Sequence, residues 1–174
     1  YSRPRQNGVN AITIKEGDQL IEAKLTSGDS EVLLAAKEGK AIRFNEKAVR
    51  PIGRTGAGVK GITIDGDDEV VGVICVEKDR KEDILVVSEH GYGKRTDLDD
   101  YRITNRGGKG VKTLQITEKT GKLIAIKAVT DENDLMIINR SGLTIRIPVG
   151  DIRLAGRATQ GVKMMTVADG DRVT

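Results

Sequence analysis

The chain has 174 residues, of which 37% are hydrophobic and 32% charged, a balance typical of a globular protein rather than a disordered one. No apolar run is long enough to cross a bilayer, and the single cysteine, Cys75, excludes an intrachain disulfide and a cysteine-based metal site. The 29 basic and 26 acidic residues leave a net charge of +3, so a basic surface requires that the charges be sorted in space.

Aromatic residues are scarce, with one Phe, three Tyr and no Trp. Proteins that bind single-stranded nucleic acid usually stack the bases on aromatic rings. If this chain binds nucleic acid, we therefore expect it to hold a duplex by its phosphates.

A repeat of about 51 residues begins with a Gly-Val pair, at Gly8, Gly58, Gly110 and Gly161, with separations of 50, 52 and 51. Apolar residues follow four and six positions after each glycine, an alternation typical of a half-buried strand. These residues are Ile12 and Ile14, Ile62 and Ile64, Leu114 and Ile116, and Met165 and Val167.

A second glycine recurs with the same spacing, at Gly39, Gly91 and Gly142. Each follows an apolar run, and glycine supplies the positive φ that a tight hairpin turn needs. We therefore predict a β-hairpin centred on each of these three glycines.

Each repeat unit is predicted to contain four short strands, which in the second unit are 59–64, 69–76, 83–88 and 92–96. Irregular links such as 45–53 join them, so the fold class is all-β. Repeated four-stranded units indicate a propeller-like array.

The unit count favours a single partial array of about three to four blades over residues 1–174. It has full units at 8–57, 58–109 and 110–160, with partial units at 1–7 and 161–174. A closed ring usually needs four blades or more. The sequence is therefore expected to be a section of a longer array, or a chain whose two ends complete one unit.

The strongest chemical signal is the pattern Arg-x6-Arg-x3-Arg-x3-Gly-Val, which each full unit carries without a gap. The three instances begin at Arg43, Arg95 and Arg146, continue through Arg50, Arg102 and Arg153, and end at Arg54, Arg106 and Arg157. Arginine presents a planar fork suited to phosphate. One arginine per blade would place charges at equal intervals along an arc, as duplex DNA does with its phosphates.

An arginine that recurs in every blade could instead tie one blade to the next through a carbonyl or an acid. The set at 50, 102 and 153 follows an apolar residue each time and is the one interpreted as structural. The other two sets lie beside glycines, where a ligand can approach the backbone. The predicted DNA-binding residues are Arg43, Arg54, Lys94, Arg95, Arg106, Lys109, Arg146 and Arg157.

Catalytic and metal motifs are not indicated. The single histidine, His90, leaves no Ser-His-Asp triad or histidine-based metal cluster. The acidic turn at 65–69 lacks EF-hand spacing, and the glycine-rich segment 107–110 lacks the phosphate-loop Gly-Lys-Ser/Thr ending. We therefore expect no catalytic residue, no metal site and no cofactor, and a hydrolase is disfavoured.

Segments along the whole chain resemble the C-terminal domain of the DNA gyrase A subunit. The segments that carry this resemblance are 31–34, 39–44, 91–96, 101–102, 106–111 and 156–162. The resemblance implies a β-pinwheel, in which neighbouring propeller blades exchange strands, and a non-catalytic role in wrapping duplex DNA around its rim. It further implies ATP-dependent negative supercoiling by the parent enzyme and a location in the bacterial cytoplasm at the nucleoid. The implied partners are duplex DNA, the N-terminal part of the same subunit, and the gyrase B subunit, with no membrane.

One segment departs from the family pattern. The gyrase box reads Gln-Arg-Arg-Gly-Gly-Lys-Gly, and residues 104–110 keep five of its seven residues but lack the leading Gln-Arg. We interpret this segment as a degenerate downstream copy of the box. Two alternatives therefore stay open: the C-terminal domain of the topoisomerase IV A subunit, and a protein-interaction propeller that uses the same rim for an acidic partner.

Overall fold

A computed structural model describes residue 3 and residues 5–174 of the chain, and within them the regular structure is almost entirely β. The strands are β1 (Glu31–Ala36), β2 (Lys40–Asn45), β3 (Val70–Val76), β4 (Asp83–Ser88), β5 (Tyr92–Asp97), β6 (Val111–Lys112), β7 (Leu123–Val129), β8 (Asp134–Ile138), β9 (Thr144–Pro148) and β10 (Val162–Lys163). Single 3-10 turns follow β2, β5 and β9, at Glu46–Ala48, Leu98–Asp100 and Val149–Asp151. No helix in the described part of the chain is long and apolar enough to span a bilayer.

The strands form two antiparallel four-stranded blades and one further hairpin. The first blade has the strand order β3-β1-β2-β6 and the second has the order β10-β5-β4-β7, while β8 and β9 pair with each other. The register repeats from blade to blade, since Glu31 pairs with Asn45 in the first hairpin and Asp83 with Asp97 in the second. The all-β fold class is confirmed.

Each four-stranded blade draws its strands from three successive repeat units. In the first blade the hairpin β1–β2 comes from one unit, β3 from the next unit and β6 from the unit after that. The second blade has the same composition, with β7 and β10 as its outer strands. Strand exchange of the pinwheel type is therefore present, and four consecutive strands of one unit do not form one blade.

The strand predicted at 59–64 is wrong, because the structure has no strand between 46 and 69. Its counterparts one and two units later are β6 and β10, which have only two residues each. Both pair with the second strand of a hairpin two units upstream. Residues 59–64 have no such hairpin to pair with in the part of the chain that the structure describes.

The three predicted hairpin glycines are confirmed, with φ of +81° at Gly39, +77° at Gly91 and +89° at Gly142. Gly91 also allows a close approach, because a Cβ built there would collide with the carbonyl oxygen of Met165. At Gly142 nothing lies within 4 Å of that position. The same turn thus has a second, packing role in the second blade.

Two main hydrophobic clusters lie on the two sides of β4. Ile84 and Val86 pack in a cluster that includes β1, β3 and β7, while Leu85 and Val87 pack against residues that include Ile137. A strand that is buried on both faces has no polar face, which explains its continuous apolar run. This strand therefore joins the two main hydrophobic clusters.

Candidate nucleic-acid interface

Arg43 is buried, with 8% of its surface exposed, and ties the first hairpin to a later segment of the chain. Its Nε donates to Oε2 of Glu31 at 2.6 Å, and its Nη1 donates to the carbonyl oxygens of Leu98 and Tyr101 at 2.8 Å each. All of these bonds are internal. The predicted exposure of Arg43 to DNA is therefore wrong.

Arg95 repeats this arrangement in the second blade with 6% exposure. Its Nε donates to the carbonyl oxygen of Ile152 at 2.7 Å, and its Nη1 bonds to Asp83 at 3.2 Å and also to Asp131. Burial of an arginine in this way requires paired acids and carbonyls. The predicted exposure of Arg95 is wrong for the same reason as that of Arg43.

Arg146, at the same repeat position in the third hairpin, remains exposed and bonds across β8–β9 to Asp134 through Nε at 3.0 Å. No later turn lies over it in the described residues. Its proposed contact with DNA stays a prediction.

Lys94 is fully buried, so the exposure predicted for it is also wrong. Its Nζ donates to the carbonyl oxygens of Gly156 at 2.7 Å, Arg157 at 2.5 Å and Thr159 at 2.9 Å. Burial first, and the guanidinium of Arg157 second, lower the pKa of Lys94 to about 8, while Asp100 opposes both effects.

Arg106 and Arg157 are half-buried and hold matching positions in successive units. Arg106 donates from Nε to the carbonyl of Ala48 at 3.1 Å and from Nη1 to the carbonyl of Lys60 at 2.5 Å. Arg157 donates to the carbonyls of Asp100 at 2.9 Å and Lys112 at 2.8 Å. Each of these acceptors lies 52 residues after the corresponding acceptor of Arg106. These bonds orient both guanidinium groups at the surface.

The remaining arginines of the pattern are exposed. Arg54 lies with Nη1 3.5 Å from the carbonyl oxygen of Asn10. Arg50, Arg102 and Arg153 are exposed and form no side-chain hydrogen bond within the described residues, so the structural role assigned to them is wrong. Arg43 and Arg95, which were predicted to be exposed, are buried because they lie on strands covered by the next unit. The set at 50, 102 and 153, which was predicted to be structural, is exposed because it follows the 3-10 turns.

Backbone hydrogen bonds join the surface loops of successive units into one strip. Gly107 N donates to Gly61 O at 2.7 Å, Thr63 N to Gly108 O at 2.8 Å, and Gln115 N to Thr159 O at 3.0 Å. We call the connected segments 58–63, 106–115 and 157–163 the rim strip. It carries the predicted residues Arg106, Lys109 and Arg157.

The rim strip also carries three exposed lysines that the sequence interpretation missed, Lys60, Lys112 and Lys163. Each stands two residues after a recurring glycine, in the sequence Gly-Val-Lys. The repeat therefore contained a second basic signal beside the arginine pattern, and this signal lies on the exposed surface.

Acidic residues concentrate elsewhere, around an open cleft of about 810 Å³ beside the ends of both hairpins. Eight acidic and four basic residues line this cleft, among them Glu77, Glu82, Asp97 and Asp131. Since the rim strip itself is mainly basic, the charges are sorted in space, as a basic surface on a nearly balanced chain requires. No group of three or more side chains suited to a metal ion occurs in residues 3 and 5–174.

Taken together, blades that exchange strands and a basic edge define a propeller-like module of the pinwheel class. A family model described as DNA gyrase C-terminal domain, beta-propeller matches residues 1–27, 30–77, 82–130 and 133–174. The chain belongs to this DNA gyrase C-terminal domain family.

Relatives and solved structures agree with this assignment. The chain is 47% identical over 174 residues to the DNA gyrase A subunit of Staphylococcus epidermidis and 48% identical over 169 residues to that of Staphylococcus aureus. These matches cover 100% and 97% of this chain but only 20% and 19% of the curated relatives.

Two solved structures are similar over almost the whole chain. A C-terminal domain of DNA topoisomerase IV superposes with a TM-score of 0.92 at 26% identity, covering 99% of this chain and 54% of that one. A DNA gyrase A C-terminal domain superposes with a TM-score of 0.87 at 26% identity, covering 97% of this chain and 57% of that one. The fold is thus common to both domains, while the two curated relatives named above are gyrase A subunits.

Proposed function

We propose that this chain binds duplex DNA along the rim strip and bends it, as a non-catalytic accessory domain of the DNA gyrase A subunit. The observation that carries the proposal is the continuous basic strip, whose arginines recur in matching backbone environments one unit apart. Membership of the gyrase C-terminal domain family supports it. The parent enzyme would use the bent DNA in ATP-dependent negative supercoiling.

The proposed contacts are with phosphates rather than bases. Smooth bending of a 20–30 bp site by 40–90° costs of order 1–6 kcal/mol, and charge-assisted bonds to successive phosphates must offset it. The proposed contact residues are Lys60, Arg106, Lys109, Lys112, Arg157 and Lys163 in the rim strip, together with Arg54 and Arg146 outside it. Binding of this kind needs no cofactor.

We infer the wider setting of this domain from its gyrase relatives. The partners would be duplex DNA, the N-terminal part of the same subunit, and the gyrase B subunit, in the bacterial cytoplasm at the nucleoid.

A paired charge reversal tests the rim strip. We expect K112E with K163E to weaken binding to a duplex of about 40 bp. The fall of log affinity with log salt should become less steep by about two, one for each lost phosphate contact. The matched control is R80E with K81E, which makes the same charge change at the acidic cleft. Fluorescence anisotropy over a salt series measures both, and an equal loss of slope in the two variants would contradict the assignment of the strip.

A second candidate is a domain of the topoisomerase IV A subunit, which the TM-score of 0.92 favours. Plasmid relaxed by a type I topoisomerase in the presence of the chain separates the two functions. A shift in linking number supports gyrase-type wrapping, whereas tight binding without a shift supports the topoisomerase IV alternative.

A further inference from the structure

Lys94 is a buried cation that holds a surface loop. Its Nζ donates to the carbonyl oxygens of Gly156, Arg157 and Thr159, and lies 3.1 Å from the Thr159 hydroxyl. An ammonium has three N–H donors, which match these three carbonyl oxygens. Its direct bonds are therefore all to neutral atoms of one loop, residues 156–159, which continues into the rim strip.

The same repeat position holds an isoleucine in the other two hairpins, Ile42 and Ile145. In the first blade, Ile42 lies beneath the corresponding loop, 3.5 Å from where a Cβ on Gly108 would stand. The residue that corresponds to Gly108 above Lys94 is Thr159. An apolar contact under a glycine in one blade is thus replaced by an ammonium under a threonine in the next.

The loop that Lys94 holds carries Arg157, one of the proposed DNA contacts. The carbonyl of Arg157 accepts from Lys94, while its guanidinium is fixed from the other side by the carbonyls of Asp100 and Lys112. The position of the guanidinium therefore depends on the backbone to which Lys94 is bonded.

We infer that Lys94 is a positioning residue, whose buried ammonium fixes the loop 156–161 in the conformation in which Arg157 contacts duplex DNA. The inference rests on the proposed function. It assigns to Lys94 an indirect part in DNA binding, since its own charge cannot reach a phosphate.

The number of hydrogen bonds that Lys94 can donate to the loop depends on its protonation. The charged groups that face Lys94 are Arg157 on the loop and Asp100 in the preceding 3-10 turn, and with burial they leave its pKa at about 8. A neutral amine has only two N–H donors and turns a lone pair toward a carbonyl oxygen. Since opening the loop would expose the amine to water and return its pKa toward 10.5, deprotonation changes the bonds to the loop but does not drive the loop open.

Two variants and one control test the inference. Lys94→Ile removes the ammonium, and Lys94→Ile with Thr159→Gly rebuilds the arrangement of the first blade. Lys81→Ile, at the acidic cleft, removes a lysine from a site away from the rim strip.

The first readout is an NMR titration of the Lys94 side chain and of the loop amides, without DNA. We expect both sets of signals to move together with a midpoint near pH 8, and the movement of the loop to be lost in the Lys94→Ile variant. A titration midpoint of Lys94 near that of an exposed lysine would overturn the inference. Loop signals that do not change as Lys94 titrates would overturn it as well.

The second readout is the affinity for a duplex of about 40 bp at fixed salt and about pH 7. We expect Lys94→Ile to weaken binding about tenfold at pH 7, as loss of an ordered phosphate contact does. The double variant should regain affinity, and the Lys81→Ile control should behave as the unmodified chain.

The outcomes separate the two proposals. If the unmodified chain does not bind duplex DNA, the proposed function fails, while the NMR titration still reports on the bonds between Lys94 and the loop. If it binds and Lys94→Ile binds equally well, the positioning role fails and the DNA function stands. Should Lys94→Ile not fold, the titration of the unmodified chain and the double variant give the same decision.

Discussion

Arg95 and Arg146 occupy the same position of the repeat, yet their surroundings differ completely. The next unit covers Arg95, which bonds to Asp83, Asp131 and the carbonyl of Ile152, whereas the side chain of Arg146 is 71% exposed and meets only Asp134. A buried ion pair that loses one partner leaves an uncompensated charge, while an exposed pair contributes little. The same substitution should therefore have unequal effects at the two positions.

We expect Arg95→Ala to lower the free energy of unfolding by about 3 kcal/mol, the lower end of the range for breaking a buried pair, because Asp131 is largely exposed. Arg146→Ala should lower it by less than about 1 kcal/mol. Urea unfolding followed by circular dichroism measures both. Equal losses in the two variants would show that Arg95 is not a tie between blades.

Lys94 gives a pH-dependent contribution to stability with a definite sign. Its pKa is about 8 in the folded chain and near 10.5 when exposed, so between these values the unfolded chain keeps a proton that the folded chain has released. This makes the free energy of unfolding rise with pH across that window relative to the Lys94→Ile variant, by up to about 3 kcal/mol. Urea unfolding of both chains at about pH 7.5 and pH 10 checks it, and a difference that stays constant or shrinks would contradict the assigned pKa.

At the scale of single elements, the hairpin glycines show how far local chemistry predicts structure. The apolar run followed by glycine identified all three turns, because a tight hairpin requires positive φ within a few residues. Nothing local distinguishes Gly91, which lies against the carbonyl of Met165, from Gly142, which faces open space. That difference arises from a contact 74 residues away in the sequence.

Alanine substitutions at these two glycines should separate backbone strain from packing. Gly142→Ala should lower the free energy of unfolding by about 1–2 kcal/mol, since it adds only the strain of positive φ. Gly91→Ala should lower it by a further 1–3 kcal/mol or so, because its Cβ would also displace Met165. Denaturant unfolding gives both values. If Gly91→Ala lowers the free energy of unfolding no more than Gly142→Ala does, the segment of Met165, which follows β10, does not pack against the second hairpin.

The division of arginines into buried and exposed sets could not be read from the sequence. The repeat predicted the all-β fold, the period and the hairpins, but strand exchange places each hairpin under segments from the next two units. Burial of Arg43 and Lys94 results from those long-range contacts. In contrast, Lys109 is exposed and Arg106 and Arg157 are half-buried, because all three lie in glycine-bearing loops outside the strands.

At the scale of the whole molecule, the few aromatic residues that the structure describes are buried. The three rings in the described part of the chain, Phe44, Tyr92 and Tyr101, have exposures of 2%, 6% and 1%. They are packed inside the blades, and the cations nearest to Tyr92, Lys119 and Lys163, lie over its ring. The described surface therefore offers basic groups but no stacking platform for unpaired bases.

This combination predicts a preference for duplex over single-stranded DNA. Stacking contributes about 1–3 kcal/mol of binding free energy per base in proteins that bind single strands, and a surface without aromatic rings lacks this contribution. A single strand also spaces its phosphates irregularly, so the recurring guanidinium groups of Arg106 and Arg157 cannot all find partners on it. We expect affinity for a duplex of about 40 bp to exceed that for either of its strands by at least about tenfold at the same salt. Competition anisotropy measures the ratio, and equal affinity would show that the even spacing of the basic groups has no part in recognition.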